Sequence, residues 1–266
     1  MPGQPALAVA PTNDAPCRAY DCHARAMTPE PPGIAVTDDT VVLVAGGLSG
    51  IGRETALAFA SRGAKIVISA EVETEGGDLE RELRELGSDV VFISADVRKE
   101  EEVRNLVDET LGRFGHLDIA INNAGAGGRP GGVCNQNADS YAAAFETSVL
   151  GTLLSLKHQV RALHQRGRGS IINIACGSGH PGGTAFSLLA ASKHAVEGLT
   201  KSVALEVAGT GIRVNALSRA PTPDDKLDHL GRDFARAILF LASDEAALVT
   251  GRIFTVGPGR GPRVVR

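Results

Sequence analysis

From residue 41 onward, short runs of β-branched and aliphatic residues alternate with longer segments whose apolar positions recur every three to four residues. The runs at 41–45, 65–69, 90–95, 118–121, 170–175, 213–216 and 252–256 are nearly all apolar. That is the pattern of strands covered on both faces. The segments at 50–62, 75–86, 99–114, 139–164, 187–208 and 231–242 carry the helical period. Strict strand–helix alternation predicts a seven-stranded parallel sheet, and right-handed crossovers put helices on both of its faces. Neither an internal repeat nor a second domain is visible. Residues 1–39 are rich in Pro and Ala and show neither period, so they read as a disordered arm, with Met27 a candidate start inside it. The ordered domain is expected over 40–257 and a C-terminal tail over 258–266.

This is the single-domain Rossmann arrangement, a doubly wound α/β fold. Its core must be built from Val, Ile, Leu and Ala, because Trp is absent and aromatics make up only 4% of the 266 residues. A formal charge of −4 leaves no basic excess to neutralise phosphates, so small molecules are expected as partners rather than nucleic acid. No apolar run approaches the roughly 18–20 residues that cross a bilayer, so no membrane partner is expected. The four cysteines, Cys17, Cys22, Cys134 and Cys176, are ordinary usage for a reducing cytoplasm. Cys17, Cys22 and His23 make half a zinc site at best, and no metal is expected.

The first strand runs into Ala45-Gly46-Gly47-Leu48-Ser49-Gly50-Ile51-Gly52, which opens a helix. Glycines let the backbone turn tightly and approach a pyrophosphate, and the helix N-terminus offers free N–H groups and a positive dipole end. A glycine loop in that place, at the first strand-to-helix turn, points to a dinucleotide; the alternative is a tight turn with no ligand.

The loop resembles the T-G-x-x-x-G-x-G of the short-chain dehydrogenase/reductase (SDR) family. Asn122-Asn123-Ala124-Gly125 is similar to that family's N-N-A-G, and Ala95-Asp96-Val97 to its adenine-contacting segment. Ile212-Arg213-Val214-Asn215 and Leu239-Phe240-Leu241-Ala242-Ser243 match its sixth strand and last helix. The resemblance implies that Gly46, Ser49, Gly50, Ile51 and Gly52 hold the phosphates, that Asp96 and Val97 border the adenine, and that Asn123, Ala124 and Gly125 flank the ribose side. Ala45 replaces the leading Thr, removing a bracing hydroxyl. At the end of the second strand Ala70 is followed by Glu71, whose carboxylate would accept from a ribose 2′-OH and repel a 2′-phosphate, with no Arg beside it to favour NADP. NAD is therefore expected ahead of NADP, the alternative being that Glu71 simply faces solvent.

The family couples hydride transfer to proton transfer through Ser, Tyr, Lys and a supporting Asn. Lys193 is in place, in Ala191-Ser192-Lys193. Four residues earlier, on the same helical face, the family's Tyr is Leu189. Cys176 stands for the Ser, and Ser148, before Val149-Leu150-Gly151, for the Asn. Of the two tyrosines, Tyr20 lies in the arm and Tyr141 seven residues before Ser148. Loss of a positioned acid costs roughly 10²–10⁴ in rate, so carbonyl reduction by the family's route is not expected. Arg219-Ala220 replaces a customary Pro-Gly, and the lid segment from Pro221 to Asp233 is short.

Several polar groups remain near that pocket. Cys176 reads either as a thiol activated by the Lys193 ammonium or as a small buried residue. His180 reads as a proton shuttle or as a surface histidine. Ser178 could orient a polar substrate, Lys193 could hold nicotinamide ribose hydroxyls or act as an acid, and Phe186 with Leu189 suggests an apolar floor. His194 points away. Three functions follow. The first is an SDR enzyme of non-redox chemistry, such as isomerisation, dehydration or cyclisation of an apolar or polyketide-like carbonyl compound. The second is a catalytically inactive subunit stabilising an active paralogue. The third is a dehydrogenase that takes its proton from water, His180 or the substrate. Small residues such as Ala142, Ala190 and Ala191 on helices 139–164 and 187–208 suit the close packing of a homodimer or homotetramer, or of a hetero-oligomer with an active SDR.

Overall fold

The computed structural model describes residues 36–71, 76–125, 131–175, 186–219, 230–257 and 263–264. Seven parallel strands are present: β1 Val41–Ala45, β2 Lys65–Ala70, β3 Val90–Ser94, β4 Ile119–Asn122, β5 Gly169–Ile174, β6 Ile212–Arg219 and β7 Ile253–Val256. A two-residue strand, β8 Arg263–Val264, adds an antiparallel edge on β7, within the segment read as a tail. The spatial order is β3-β2-β1-β4-β5-β6-β7-β8, so the strand sequence reverses between β1 and β4. A crevice opens at the carboxyl ends of strands at such a reversal, and ligands bind there.

The helices are α1 Gly50–Ala60, α2 Gly76–Glu85, α3 Glu100–Phe114, α4 Ala138–Phe145, α5 Gly151–Arg166, α6 Ser187–Glu206 and α7 Leu230–Ala242. The strand pleat sorts the aliphatic side chains between two layers. Val42, Val44, Ile66 and Ile68 point toward Phe59 of α1, Leu83 of α2 and Phe234 of α7. Val41, Leu43 and Val67 point the other way, toward Leu106 of α3, Leu163 of α5 and Val203 of α6. Each such side chain, fully withdrawn from water, contributes about 1.5–3 kcal/mol before entropy is counted. The buried Arg213 guanidinium donates to the carbonyls of Leu241, Ala242 and Ser243 at the C-terminal end of α7.

One expected helix, 139–164, is two. A π-helical turn, Glu146–Leu150, separates α4 from α5. Asn137 starts α4 through a reciprocal cap, its Oδ1 accepting from the Ser140 N–H while Ser140 Oγ accepts from the Asn137 N–H. The wider turn that follows leaves Ser148 fully buried.

A polar ladder ties α5 and α6 to the middle of the sheet. Asn122 Nδ2 donates to Gln159 Oε1 (3.0 Å) and to Asn173 Oδ1 (2.9 Å), and Gln159 Nε2 returns a bond to Asn122 Oδ1 (2.8 Å). Asn173 Nδ2 then donates to Thr200 Oγ1 (2.9 Å), which donates to the Val196 carbonyl (2.8 Å). All four side chains are buried. Satisfied, they fix the two helices; left with one missing partner, each orphaned group costs about 1–3 kcal/mol.

Candidate active site

The loop after β1 is tied down before any ligand arrives. The N–H groups of Gly46 and Gly47 donate to the Ser69 carbonyl on β2, at 2.7 and 3.2 Å. From the β4 side, the Asn123 N–H donates to the Ala45 carbonyl (2.9 Å) and Asn123 Nδ2 to the Gly46 carbonyl (2.7 Å). Gly46 sits at φ +76°, and a Cβ there would stand 2.8 Å from the Ala124 nitrogen. At Gly52 a Cβ would stand 2.1 Å from the Gly46 oxygen. Neither position accepts a side chain without moving backbone. Ser49 precedes α1 without a side-chain cap bond, and the first turn of α1 carries no acidic residue. The loop therefore offers free N–H groups, a positive helix end and, at Gly46 and Gly52, backbone without a Cβ, which fits the pyrophosphate of a dinucleotide. Ser49, Gly50, Ile51 and Gly52 lie together at this end of α1.

At the far end of the crevice the structure corrects one expectation: an arginine does stand beside Glu71. Arg98 Nη2 lies 2.8 Å from Glu71 Oε1, a pairing across 27 residues of chain. The same guanidinium grips Asp96 twice, Nε to Oδ1 and Nη2 to Oδ2, both at 2.8 Å. Asp96 is buried, and its N–H donates to Glu102 Oε2 (2.8 Å). The Arg98 hydrogen bonds hold its carboxyl below the usual carboxylate range, against the opposing pull of burial. Asp96, expected to face the adenine, thus already has its two oxygens engaged by Arg98. Val97 is buried against Gly151, where a Cβ would come within 2.6 Å of Val97 Cγ2. The signal for Arg98 was available in Asp96-Val97-Arg98, one residue past the adenine segment.

On the other side of the crevice, Lys193 of α6 is 8% exposed. Its Nζ donates to the Ile174 carbonyl (3.4 Å) and lies 2.7 Å from where a Cβ on Gly125 would stand. Ser148 Oγ is 3.7 Å from that same point. Lys193, Ser148 and Gly125 therefore converge, although they come from α6, the π-helical turn and the loop after β4. Ser148 Oγ is buried with no hydrogen-bond partner among the described residues; its carbonyl accepts from Thr152 Oγ1 (2.6 Å). One helical turn before Lys193, Leu189 is 4% exposed, and Ser192 Oγ donates to its carbonyl (2.9 Å). Tyr141 is half exposed on α4, its ring stacked on Phe145 at 4.3 Å. His194 turns outward, with Nδ1 2.8 Å from the Ala190 carbonyl. Cys176, Ser178 and His180 lie outside the described residues, as do Tyr20 and most of the lid segment. Sequence reasoning missed Gln159, Asn173 and Thr200, whose signal is a polar residue on an otherwise apolar face. No group of His, Cys, Asp and Glu able to hold a metal occurs among the described residues.

A profile of the family described as short chain dehydrogenase matches residues 40–226, more than half of the chain. The chain belongs to the short-chain dehydrogenase/reductase family. SDR relatives cover most of its length. It is 36% identical over 253 residues to (+)-borneol dehydrogenase 2 of Salvia officinalis, covering 82% of this chain and 88% of that protein. It is 31% identical over 245 residues to (+)-cis,trans-nepetalactol synthase NEPS1 of Nepeta racemosa, covering 82% and 90%. The crystal structure of a short-chain dehydrogenase/reductase from Burkholderia xenovorans superposes with a TM-score of 0.74 at 29% identity, covering 84% and 97%. The SDR family is one of oxidoreductases with an NAD(P)-binding fold. No helix among the described residues is long and apolar enough to cross a membrane.

Proposed function

We propose that this SDR protein is an atypical enzyme that binds NAD in the cradle at 46–52 and acts on an apolar, polyketide-like carbonyl compound without a tyrosine acid. One observation carries the reading: a buried leucine, Leu189, stands one turn before the buried Lys193, on the helical face where the family places its phenol. A hydrocarbon can neither donate nor accept a proton, while the ammonium remains to bind a hydroxyl or stabilise developing negative charge. A bound nicotinamide supplies hydride donation or acceptance.

The polar groups proposed to act on substrate are Lys193, Cys176, Ser178 and His180, with Ser148 behind them. Two chemistries suit that set. One is non-redox isomerisation, dehydration or cyclisation, in which Lys193 steadies an enolate-like oxygen. The other is hydride transfer to an activated acceptor such as an enone or quinone, whose proton comes from water or His180. The synthase name of one relative favours the first, and the dehydrogenase name of another favours the second. The NAD preference rests on Glu71, and the free Cys134 is in keeping with a reducing cytoplasm.

Incubating the purified protein with NADH and a panel of enones, quinones and cyclic enol aldehydes tests the reading. Substrate conversion is expected, with or without net NADH loss. Conversion unaffected by Lys193→Met and by Cys176→Ala would count decisively against it.

A second reading, a catalytically inactive subunit, draws on exposed apolar side chains of the candidate pairing helices: Tyr141 at 52%, Leu153 at 45% and Leu205 at 79%. Homo-oligomers through 139–164 and 187–208 would cover the same surfaces. Native mass spectrometry of the protein drawn from its own host separates the two. A complex containing a tyrosine-bearing SDR supports the inactive subunit, and a homo-oligomer alone removes it.

A further inference from the structure

We propose that Arg98 is a determinant of cofactor choice, a guanidinium pinned by Asp96 and held by Glu71 at the place where the 2′ substituent of the adenosine ribose arrives. The proposal rests on the dinucleotide reading above. It starts from the unequal grip of the two acids. Asp96 is buried, its side chain 6% exposed, and it engages Arg98 through both oxygens. Glu71 is 62% exposed and makes a single bond to the same Nη2. Bidentate contact with a buried carboxylate fixes the guanidinium plane, whereas a lone, solvent-exposed pair is worth little and exchanges readily. Arg98 therefore keeps its position when Glu71 lets go.

That asymmetry has two consequences. With Glu71 present, Arg98 orients its carboxylate and cancels part of its charge, so rejection of a 2′-phosphate is softer than a lone carboxylate would give. With Glu71 removed, the fork faces the 2′ position from an anchored base. Lys99, whose Nζ lies 3.8 Å from Asp96 Oδ2 and 2.9 Å from Glu102 Oε1, adds a second cation nearby. A guanidinium matches phosphate geometry with two parallel donors.

The test is a binding titration of NADH and NADPH, read by nicotinamide fluorescence, on four proteins: wild type, Glu71→Gln, Arg98→Gln and the double variant. Thermal melts confirm that each is folded, and Arg98→Lys serves should Arg98→Gln unfold. Wild type is expected to prefer NADH. Glu71→Gln should tighten NADPH binding about ten- to hundredfold, the range of one charge-assisted bond to phosphate. Arg98→Gln should weaken NADPH binding in both backgrounds, returning the double variant to the wild-type level or below. Arg98→Lys should retain part of the gain, since it keeps the charge and loses the fork. If NADPH binding ignores residue 98 in both backgrounds, the proposal falls while the dinucleotide reading stands. If no variant binds either nucleotide, both fall.

Discussion

The two halves of the crevice are made of different materials. On the β1 and β4 side, the cradle is backbone: Gly46 and Gly52 leave no room for a Cβ, and Asn123 and the Ser69 carbonyl brace the turn. On the α6 side, the chemistry proposed is side chain: Lys193, Ser148 and Leu189 sit in a helix and a π-helical turn. Backbone machinery is protected by sterics, because nearly every substitution collides with something. Side-chain machinery has no such protection. A leucine in place of a phenol has no proton to donate and still packs well; Leu189 is 4% exposed. On the proposed reading, the nucleotide half of this SDR keeps the family pattern while the reaction half departs from it.

The largest expected effect comes from rebuilding the reaction half. Leu189→Tyr, alone and with Cys176→Ser, should raise NAD-dependent oxidation of cyclic secondary alcohols by about 10²–10⁴, the usual contribution of a positioned acid or base. The pH profile of the double variant should gain a limb that wild type lacks. An unchanged rate with intact NADH binding would mean that position 189 is not what separates the two halves.

Breaking the cradle comes next. Gly52→Ala should weaken NADH binding about ten- to hundredfold and destabilise the fold by about 1–3 kcal/mol, as overpacking does. Its counterpart Leu189→Met, which conserves volume, should cost less than about 1.5 kcal/mol and leave NADH binding unchanged. Calorimetric titration and urea melts on this pair measure the contrast directly.

Beneath both halves runs the amide ladder. Asn173→Leu leaves Asn122 Nδ2 short of one acceptor and Thr200 Oγ1 without its donor. The expected loss is about 1–3 kcal/mol in urea unfolding, with a weaker effect on NADH binding than Gly52→Ala, since Asn123 still braces the loop.

The smallest effect is a pH slope. Burial outweighs the attraction of Glu100, whose Oε1 is 3.4 Å away, and lowers the His158 pKa below the ordinary histidine value of 6.5. The unfolded chain then takes up a proton that the folded chain refuses. Stability from this group is complete above about pH 6.5 and is lost as pH falls through that value toward the lower folded pKa. His158→Gln should flatten the slope between pH 7.5 and 5.5 in chemical denaturation.

The fold was legible because burial on both faces writes itself as continuous apolar runs, and β1 coincides with its expected range. Other strand ends differ by up to three residues, since neighbouring backbones decide where pairing stops: β6 continues to Arg219 alongside β7. The glycine loop was legible because its sequence and its sterics are the same statement. The π-helical turn was not, because Glu146 to Leu150 carries ordinary helical residues and the wider hydrogen-bond step leaves no mark in composition. Arg98 was missed for another reason: its two partners come from different loops, and only the spacing of β2 and β3 brings Glu71 to it. The same applies to Gln159 and Thr200, which look like isolated polar residues until Asn122 and Asn173 are placed between them.

That wider turn also bears on how α4 can be re-aimed. An α-helix advances about 100° per residue, so one residue gained or lost within 146–150 would swing α4, with its Tyr141–Phe145 stack, around the axis by roughly that angle. Gln159, further along α5, would keep its rung on the sheet. A single-codon insertion or deletion is thus enough to re-aim α4 and leave the ladder beneath it in register.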